Sequence, residues 1–324
     1  MGISSFILKK AAVMILTFYV ISTVIFILPR ITPVDPKTLL ADNPRIPESI
    51  RLKLIESFGL NKSIFDQYAS YFVNLFRGDL GFSFLYRDPV VTILQTRLPW
   101  TILLLGTSTA IFIVLGIVIG VFQASRYGSK FDVATLVGSL VASSFPFFWV
   151  GMILIYVFAF VVLIFPSFGA ASSGVVFANP LEMLADVLWH LVLPAVTIVI
   201  VNISRYSFYL RNIMVGVLSE DYIITARAKG LDKRKILFKH GLRNAMLPTM
   251  TMIAMDFGFI VAGGIFVETV FSYPGVGSLA YEAILNADYP LMNGVFILLT
   301  IVILVANFTA DMLYSVLDPR IRKG

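Results

Sequence analysis

The chain has no cysteine, and histidine occurs only twice in its 324 residues. Without a thiol it can form no disulfide, no thiolate metal site and no cysteine nucleophile. The two histidines, His190 and His240, cannot share one helix turn, and neither belongs to an HExxH pattern. We find no nucleophile–base pair or metal set, so the sequence argues against an enzyme.

Charge is also scarce. Charged residues make up 14% of the chain against 58% hydrophobic residues, and the mean hydropathy is +0.89. Three long stretches, 11–28, 98–125 and 133–181, contain no charge at all. Roughly 20 apolar residues cross the hydrocarbon core as a helix, and inside lipid a helix satisfies its own backbone hydrogen bonds. The composition therefore predicts an all-α polytopic membrane protein.

The pattern predicts six transmembrane helices. Their ranges are 9–29, 99–123, 133–165, 187–213, 246–270 and 290–314. The third range is long for one crossing and contains Pro146. Two interpretations stay open there: a kinked, tilted helix, or an ordinary proline tolerated within a packed bundle.

Lysine and arginine are missing from two connections, 166–186 and 271–289. The connection 214–247 holds seven of the chain's 25 lysine and arginine residues. Cytoplasmic loops carry the excess of these residues, so we expect 214–247 and both termini to be cytoplasmic. Loop 30–98 is long and carries nine basic and seven acidic residues, so we expect it outside. The net charge of +6 thus reflects topology and predicts no nucleic-acid partner.

These predictions divide the chain into four parts: 1–29, the cytoplasmic start and first span; 30–98, an extracytoplasmic loop domain with short helices; 99–314, a five-helix core that includes the cytoplasmic segment 214–247; and 315–324, a cytoplasmic tail. Within 30–98, helical spacing predicts one helix over 48–58 and a second that is capped by Ser63. Within 271–289, turn formers precede a predicted short helix over 278–286.

Few ionisable residues fall inside the predicted spans, and burying one costs about 2.5–3.5 kcal/mol unless it finds water or a partner. Asp256 is the deepest, and it either lines a pathway or makes a hydrogen bond between helices. Glu268 and Asp311 are predicted to be interfacial, because they lie near span ends. Gly128-Ser129-Lys130 lacks the glycine and lysine spacing of a phosphate-binding loop, so we expect no ATP hydrolysis by this chain.

The cytoplasmic segment 214–247 is basic and helical in pattern. A helix is predicted over 222–229 and should end at Gly230, and a second helix is predicted over 233–242. Ala226 and Ala228 are small enough to let another surface approach the backbone. The segment is therefore interpreted as a docking surface for another protein, with a lipid-facing basic helix as the alternative.

Several short motifs are spread along the chain: Gly78-Asp79-Leu80-Gly81, Arg97-Leu98-Pro99, Ser144-Phe145-Pro146, Thr225-Ala226-Arg227-Ala228-Lys229-Gly230, Tyr273-Pro274-Gly275-Val276-Gly277, Asp288-Tyr289-Pro290 and Asp318-Pro319-Arg320-Ile321-Arg322. Their combination resembles the inner-membrane permease subunit of binding-protein-dependent ABC importers, in the dipeptide, oligopeptide and nickel branch. One departure is that Ile224 stands where the general importer motif has a glutamate. The polar contacts of that motif therefore do not transfer.

The resemblance implies a type I importer permease fold in the cell membrane. It also implies a second related permease, two cytoplasmic ATPases that bind ATP and magnesium, an external solute-binding protein and no cofactor on this chain. The implied solute is a di- or oligopeptide, with an oligosaccharide or nickel chelate as other possibilities. An ATP-independent secondary transporter or channel is the alternative function.

Two sets of site residues follow from the resemblance and the pattern. The expected ATPase-coupling residues are Asp221, Tyr222, Thr225, Ala226, Arg227, Ala228, Lys229, Gly230 and Lys233. The expected pathway-lining residues are Ser144, Phe145, Phe147, Asp256 and Phe259. No metal ligands are predicted.

Overall fold

The computed structural model describes residues 3–31 and 62–317. In that part of the chain the helices are α1 (Ile3–Ile31), α2 (Ile64–Phe76), α3 (Val90–Ser125), α4 (Lys130–Ser143), α5 (Phe147–Ile155), α6 (Pro180–Leu218), α7 (Asp221–Ala228), α8 (Lys233–Lys235), α9 (Arg243–Val270), α10 (Val276–Leu285) and α11 (Tyr289–Leu317). Extended pairing within these ranges is an isolated bridge between Phe82 and Pro89. The predicted all-α class is confirmed, while the helix predicted over 48–58 lies outside the described residues.

Each predicted span coincides with a helix or a helix pair. Four helices in the described ranges are long and apolar enough to cross a membrane: α1, α3, α6 and α11. The pair α4 and α5 makes a fifth if it is one span, and α9 covers the predicted fifth span. The protein is therefore multi-pass, while the count of six and the cytoplasmic termini stay predictions.

The range of the predicted third span holds two helices with a break between them, not one kinked helix. Helix α4 ends at Ser143, and α5 starts after Pro146 and continues into the π-helical turn Tyr156–Val161. The two halves are bent by 98°. Proline disfavours a helical conformation for the residue before it, which places the break at this point. Neither sequence interpretation of Pro146 anticipated so sharp a bend.

The described residues form two compact units, one of 3–31, 62–99 and 279–308 and the other of 100–278 and 309–317. In the first unit, α1 and α2 pack through aromatic rings, such as Phe26 edge-on to Tyr68 at 5.2 Å. Helix α2 begins as predicted, because the backbone N–H of Asp66 donates to the Ser63 hydroxyl at 3.2 Å. The first unit therefore has an aromatic core of its own.

A buried carboxylate also organises the first unit. Asp288, only 1% exposed, directly precedes α11. It accepts hydrogen bonds from the Ser83 hydroxyl at 2.6 Å, the Leu85 N–H at 2.9 Å and the Leu291 N–H at 3.2 Å. One side chain therefore caps α11 and holds the turn that leads into α3.

The second unit is built around close helix crossings. A Cβ atom on Gly116 would lie 2.6 Å from the Tyr206 Cβ, and one on Gly120 would lie 2.8 Å from the Ser207 carbonyl oxygen. Side chains there would force α3 and α6 apart, so both glycines are needed for the observed approach. The core of this unit includes Leu104 and Phe112 from α3 and Phe271 after α9.

We predict that Asp288→Ala destabilises the protein, because it removes the acceptor of three hydrogen bonds. Leaving buried donors unsatisfied costs about 1–3 kcal/mol for each group. The midpoint of thermal unfolding in detergent should fall clearly below that of the wild type. The control is Asp88→Ala, which alters an exposed carboxylate in the same turn. Equal midpoints for the two variants would contradict the anchoring role.

Candidate functional site

Helix α7 follows α6 after a two-residue turn. Its N-cap is Glu220, and Asp221 in the first turn interacts favourably with the positive end of the helix dipole. The helix ends where Gly230 adopts a φ of +75°, a left-handed conformation that glycine accepts at little cost. The Leu231 N–H then bonds the Ala226 carbonyl at 3.3 Å. These bounds agree with the helix predicted over 222–229.

One face of α7 packs against the rest of the basic segment. Ile223 is fully buried and Ala226 is 7% exposed, and both contact the buried Ile236. Ile236 opens the π-helical turn Ile236–Leu242, where a single α-helix had been predicted over 233–242. The Asn244 side-chain amide also donates to the Tyr222 hydroxyl at 2.7 Å. The segment is therefore folded back on itself.

The opposite face of α7 is open. At 100° per residue, side chains three and four apart share a face. The residues opposite the packed face are Asp221, Ile224, Thr225 and Ala228, and all are exposed. Ile224, which replaces the glutamate of the general importer motif, is 56% exposed. Of the two alanines expected to admit a partner, Ala228 lies on this open face and Ala226 does not.

Basic side chains flank the open face. Arg227, Lys229 and Lys233 are exposed, and Gly230 lies between them at the end of the helix. A short apolar strip with cations at its edge can recognise a protein surface that has a groove and acidic residues. The structure therefore places the predicted coupling residues, apart from Ala226, where another protein can reach them.

A buried ion pair ties α6 to α4. Arg211 donates from Nε to Asp132 Oδ1 at 2.6 Å and from Nη2 to Oδ2 at 2.7 Å, and the Gly128 N–H donates to Oδ2 at 3.0 Å. Asp132 has no exposed surface. Arg211 lies two turns before the end of α6, so the helix that leads into α7 is held to the start of the broken span.

This pair could not be derived from the sequence, because its members are 79 positions apart. The available signal was Asp132 itself, an acid placed at the start of a charge-free run that extends over 133–181. Ser129 caps α4 by accepting from the Asp132 N–H at 3.2 Å, which is a local pattern visible in the sequence.

Two of the expected pathway residues, Ser144 and Phe145, lie beside the break between α4 and α5. Phe145 stacks on Trp149 at 4.3 Å beside the break, and the Ser144 hydroxyl donates to the Leu140 carbonyl at 2.8 Å. Phe147 packs against the core of the second unit. Asp256 and Phe259 lie on α9, but their side chains fall outside the described residues. The pathway-lining assignment stays a prediction.

Glu268 is fully buried within the protein, two residues before the end of α9, and its predicted depth at the membrane interface stays a prediction. It accepts from the Thr101 hydroxyl at 2.7 Å and from the Ser278 N–H at 3.0 Å. The same Thr101 oxygen accepts from the Val276 N–H at 2.8 Å. A Cβ on Gly275 would overlap the Glu268 carboxylate. The turn of the Tyr273–Gly277 motif thus folds around a buried acid.

The family described as "Binding-protein-dependent transport system inner membrane component" matches residues 116–323, and its N-terminal companion matches residues 3–105. The chain belongs to this family. It is 34% identical over 319 residues to the oligopeptide transport system permease protein AppB of Bacillus subtilis, with 98% of this chain and 99% of AppB covered. It is 36% identical over 334 residues to the dipeptide transport system permease protein DppB of Escherichia coli K12, with 98% of each chain covered.

A solved structure supports the fold. An inward-facing MetNI methionine ABC transporter superposes with a TM-score of 0.55 at 18% identity, over 70% of this chain and 97% of that chain. The predicted ABC importer permease fold is therefore confirmed. The protein is a permease of the cell membrane, in the dipeptide and oligopeptide branch that its motifs predicted.

We predict that Ile223→Ala loosens segment 214–247, because it removes buried side-chain volume from the cluster that Ile223 forms with Ala226 and Ile236. Truncation of a buried isoleucine costs about 2–5 kcal/mol. Amide hydrogen exchange over 214–247 should accelerate in the variant. The matched control is Ile224→Ala, the same truncation on the neighbouring exposed residue. Similar exchange in both variants would show that α7 is not held through its inner face.

We predict that Gly275→Ala destabilises the protein, because its Cβ would collide with the buried Glu268 carboxylate. Overpacking of this kind costs about 1–3 kcal/mol. The control is Gly138→Ala in α4, where a Cβ would meet nothing within 4 Å. Thermal unfolding of purified protein should separate the two variants, and a Gly275→Ala protein as stable as Gly138→Ala would argue against the packing.

Proposed function

We propose that this chain is one of two permease subunits of an ATP-driven importer of di- and oligopeptides. The observation that carries the proposal is α7: one face is packed into its own segment, while Ile224 and Ala228 lie open on the other. Relatives along nearly the whole chain are named as oligopeptide and dipeptide transport permeases, which supports peptides as the solute.

The proposed partners follow from what the chain itself does not supply. Two cytoplasmic ATPases bind ATP and magnesium, and one of them receives α7. A second, related permease completes the pathway, and an external binding protein delivers the peptide. The chain contributes shape and contacts but no covalent chemistry. The family description, a component of a binding-protein-dependent system, supports this division of roles.

In the proposed mechanism, closure of the ATPases moves α7, and α7 moves the end of α6. The Asp132–Arg211 pair lies two turns before that end, so a displacement of α6 is passed to α4 and the break at Pro146. Two arrangements of the helices are then favoured in turn, one by bound nucleotide and one by its release. A buried and fully hydrogen-bonded ion pair suits this role, because it is costly to break.

We predict that Ala228→Arg abolishes coupling. The long side chain would fill the open face of α7 without touching the buried cluster beneath it. In proteoliposomes that contain the whole importer, ATP-dependent uptake of trialanine should fall at least tenfold, while the membrane level of the protein is unchanged. The control is Ala69→Arg, the same substitution at an exposed position of α2.

Normal uptake by Ala228→Arg would argue against α7 as the docking helix. The same proteoliposomes also test the alternative function. Trialanine uptake by the purified chain alone, without ATP or partner subunits, would identify an ATP-independent transporter and overturn the proposed function.

A further inference from the structure

Helix α2 turns its apolar side chains outward and its polar side chains inward. The exposed residues that share one face, at spacings of three and four, are Phe65, Ala69, Val73 and Phe76. The partly buried residues on the opposite face, which line a cavity of the first unit, are Gln67, Ser70 and Asn74. A helix on a water-exposed surface shows the reverse pattern. Since Phe65 is 78% exposed and Phe76 is 79% exposed, this apolar stripe needs a covering that is not water.

The direction of α2 shows what lies next to the stripe. Near the start of α2, the Gln67 side-chain oxygen accepts from Arg30 Nη2 at 2.8 Å, close to the end of α1. Farther along α2, the Phe72 ring lies 5.3 Å from the ring of Tyr19. The contacts on α1 therefore move from residue 30 back to residue 19 as α2 proceeds, so the two helices run antiparallel.

Tyr19 is the central residue of Ile7–Ile31, a stretch long and apolar enough to cross a membrane. At 1.5 Å per residue, it lies roughly 16 Å along the helix from Arg30. The hydrocarbon core of a bilayer is about 30 Å thick. The contact between Phe72 and Tyr19 therefore places the second half of α2 beside the membrane-spanning part of α1.

The apolar stripe of α2 is continuous with an exposed apolar surface of α1. On α1 that surface includes Val20, 51% exposed, and Val24, 50% exposed. On each helix the exposed residues lie about a quarter of a turn from the residues that contact the other helix. Because the helices are antiparallel, these two quarter-turns lead to the same side. A spanning helix contacts lipid where no protein covers it, so the same lipid extends over the stripe.

We propose that α2 is embedded in the membrane beside α1, with Val73 and Phe76 against lipid acyl chains. The leaflet concerned is the one that holds residues 19–31. The chain turns back after α2 at Gly78, where φ is +77°. Part of 30–98, which the sequence predicts to be an extracytoplasmic loop domain, then belongs to the membrane region. This proposal does not depend on the proposed function.

The charges around α2 are compatible with this position. Lys62 and Asp66 lie at its start, near the end of α1, and Arg77 follows its last residue. A long basic side chain extends along apolar surface and keeps its charge at the headgroups, so Arg77 does not prevent insertion of Phe76. The same holds for an arginine introduced at Ala69, which lies two turns closer to the end of α1.

The absence of cysteine from the chain allows a nitroxide label to be attached at one introduced cysteine. The full chain is labelled as Phe76→Cys or Val73→Cys and reconstituted in vesicles of phosphatidylcholine and phosphatidylglycerol. Electron paramagnetic resonance measures the collision rates with oxygen, which concentrates in hydrocarbon, and with a polar nickel complex, which stays in water. The matched controls are Val20→Cys on the exposed surface of α1 and Lys62→Cys before α2.

The ratio of oxygen to nickel collisions at positions 73 and 76 should exceed that at position 62 about threefold or more, because hydrocarbon excludes a polar complex. It should resemble the ratio at position 20. Ratios like that of position 62 would place the stripe in water and overturn the proposal. Val73→Cys keeps the test decisive if Phe76→Cys fails to fold.

The measurement is repeated after assembly with the second permease and the ATPases, because a protein partner is the other candidate to cover the stripe. Unchanged ratios at positions 73 and 76 would support lipid as the covering. Loss of oxygen collisions at both positions, while position 20 keeps its own, would show that a partner subunit covers the stripe and would overturn the proposal.

Discussion

Inside a membrane the backbone must satisfy its own hydrogen bonds, which favours unbroken helices. The positions where a helix ends therefore need a specific structural cause. In this protein a long apolar run stops at Pro146, and the broken span turns by 98°. In the basic segment 214–247, α7 stops at Gly230 with a φ of +75°. Helix α9 stops before a turn that closes around Glu268. Candidate functional residues lie beside the first of these stops, at Ser144 and Phe145, and along the helix that ends at the second.

Buried carboxylates stabilise the turn after α9 and the starts of α4 and α11. Asp132 receives a bidentate arginine and a backbone N–H, Glu268 receives a threonine hydroxyl and a backbone N–H, and Asp288 receives a serine hydroxyl and two backbone N–H groups. A buried charge is tolerated only when it is paired or fully hydrogen-bonded. Each acid therefore selects one conformation of its turn, because any other arrangement would leave the carboxylate without donors.

Segment 214–247 combines a packed inner face with an open surface. Ile223 and Ala226 bind α7 to its own segment, and the open face presents Ile224 and Ala228. Ile224 places an exposed apolar side chain on this face, where the general importer motif has a charged glutamate.

The sequence by itself determined the helical class, the membrane location, the family and the start and end of α7, because these depend on local patterns of hydropathy, capping and glycine. Tertiary structure alone decided which side chains meet. It showed that Ala226 faces inward, that Glu268 is buried and that Arg211 pairs with Asp132 across 79 positions. Partner choice of this kind depends on how helices cross, and a crossing is set by packing along two whole helices. No local pattern in the chain contains that information.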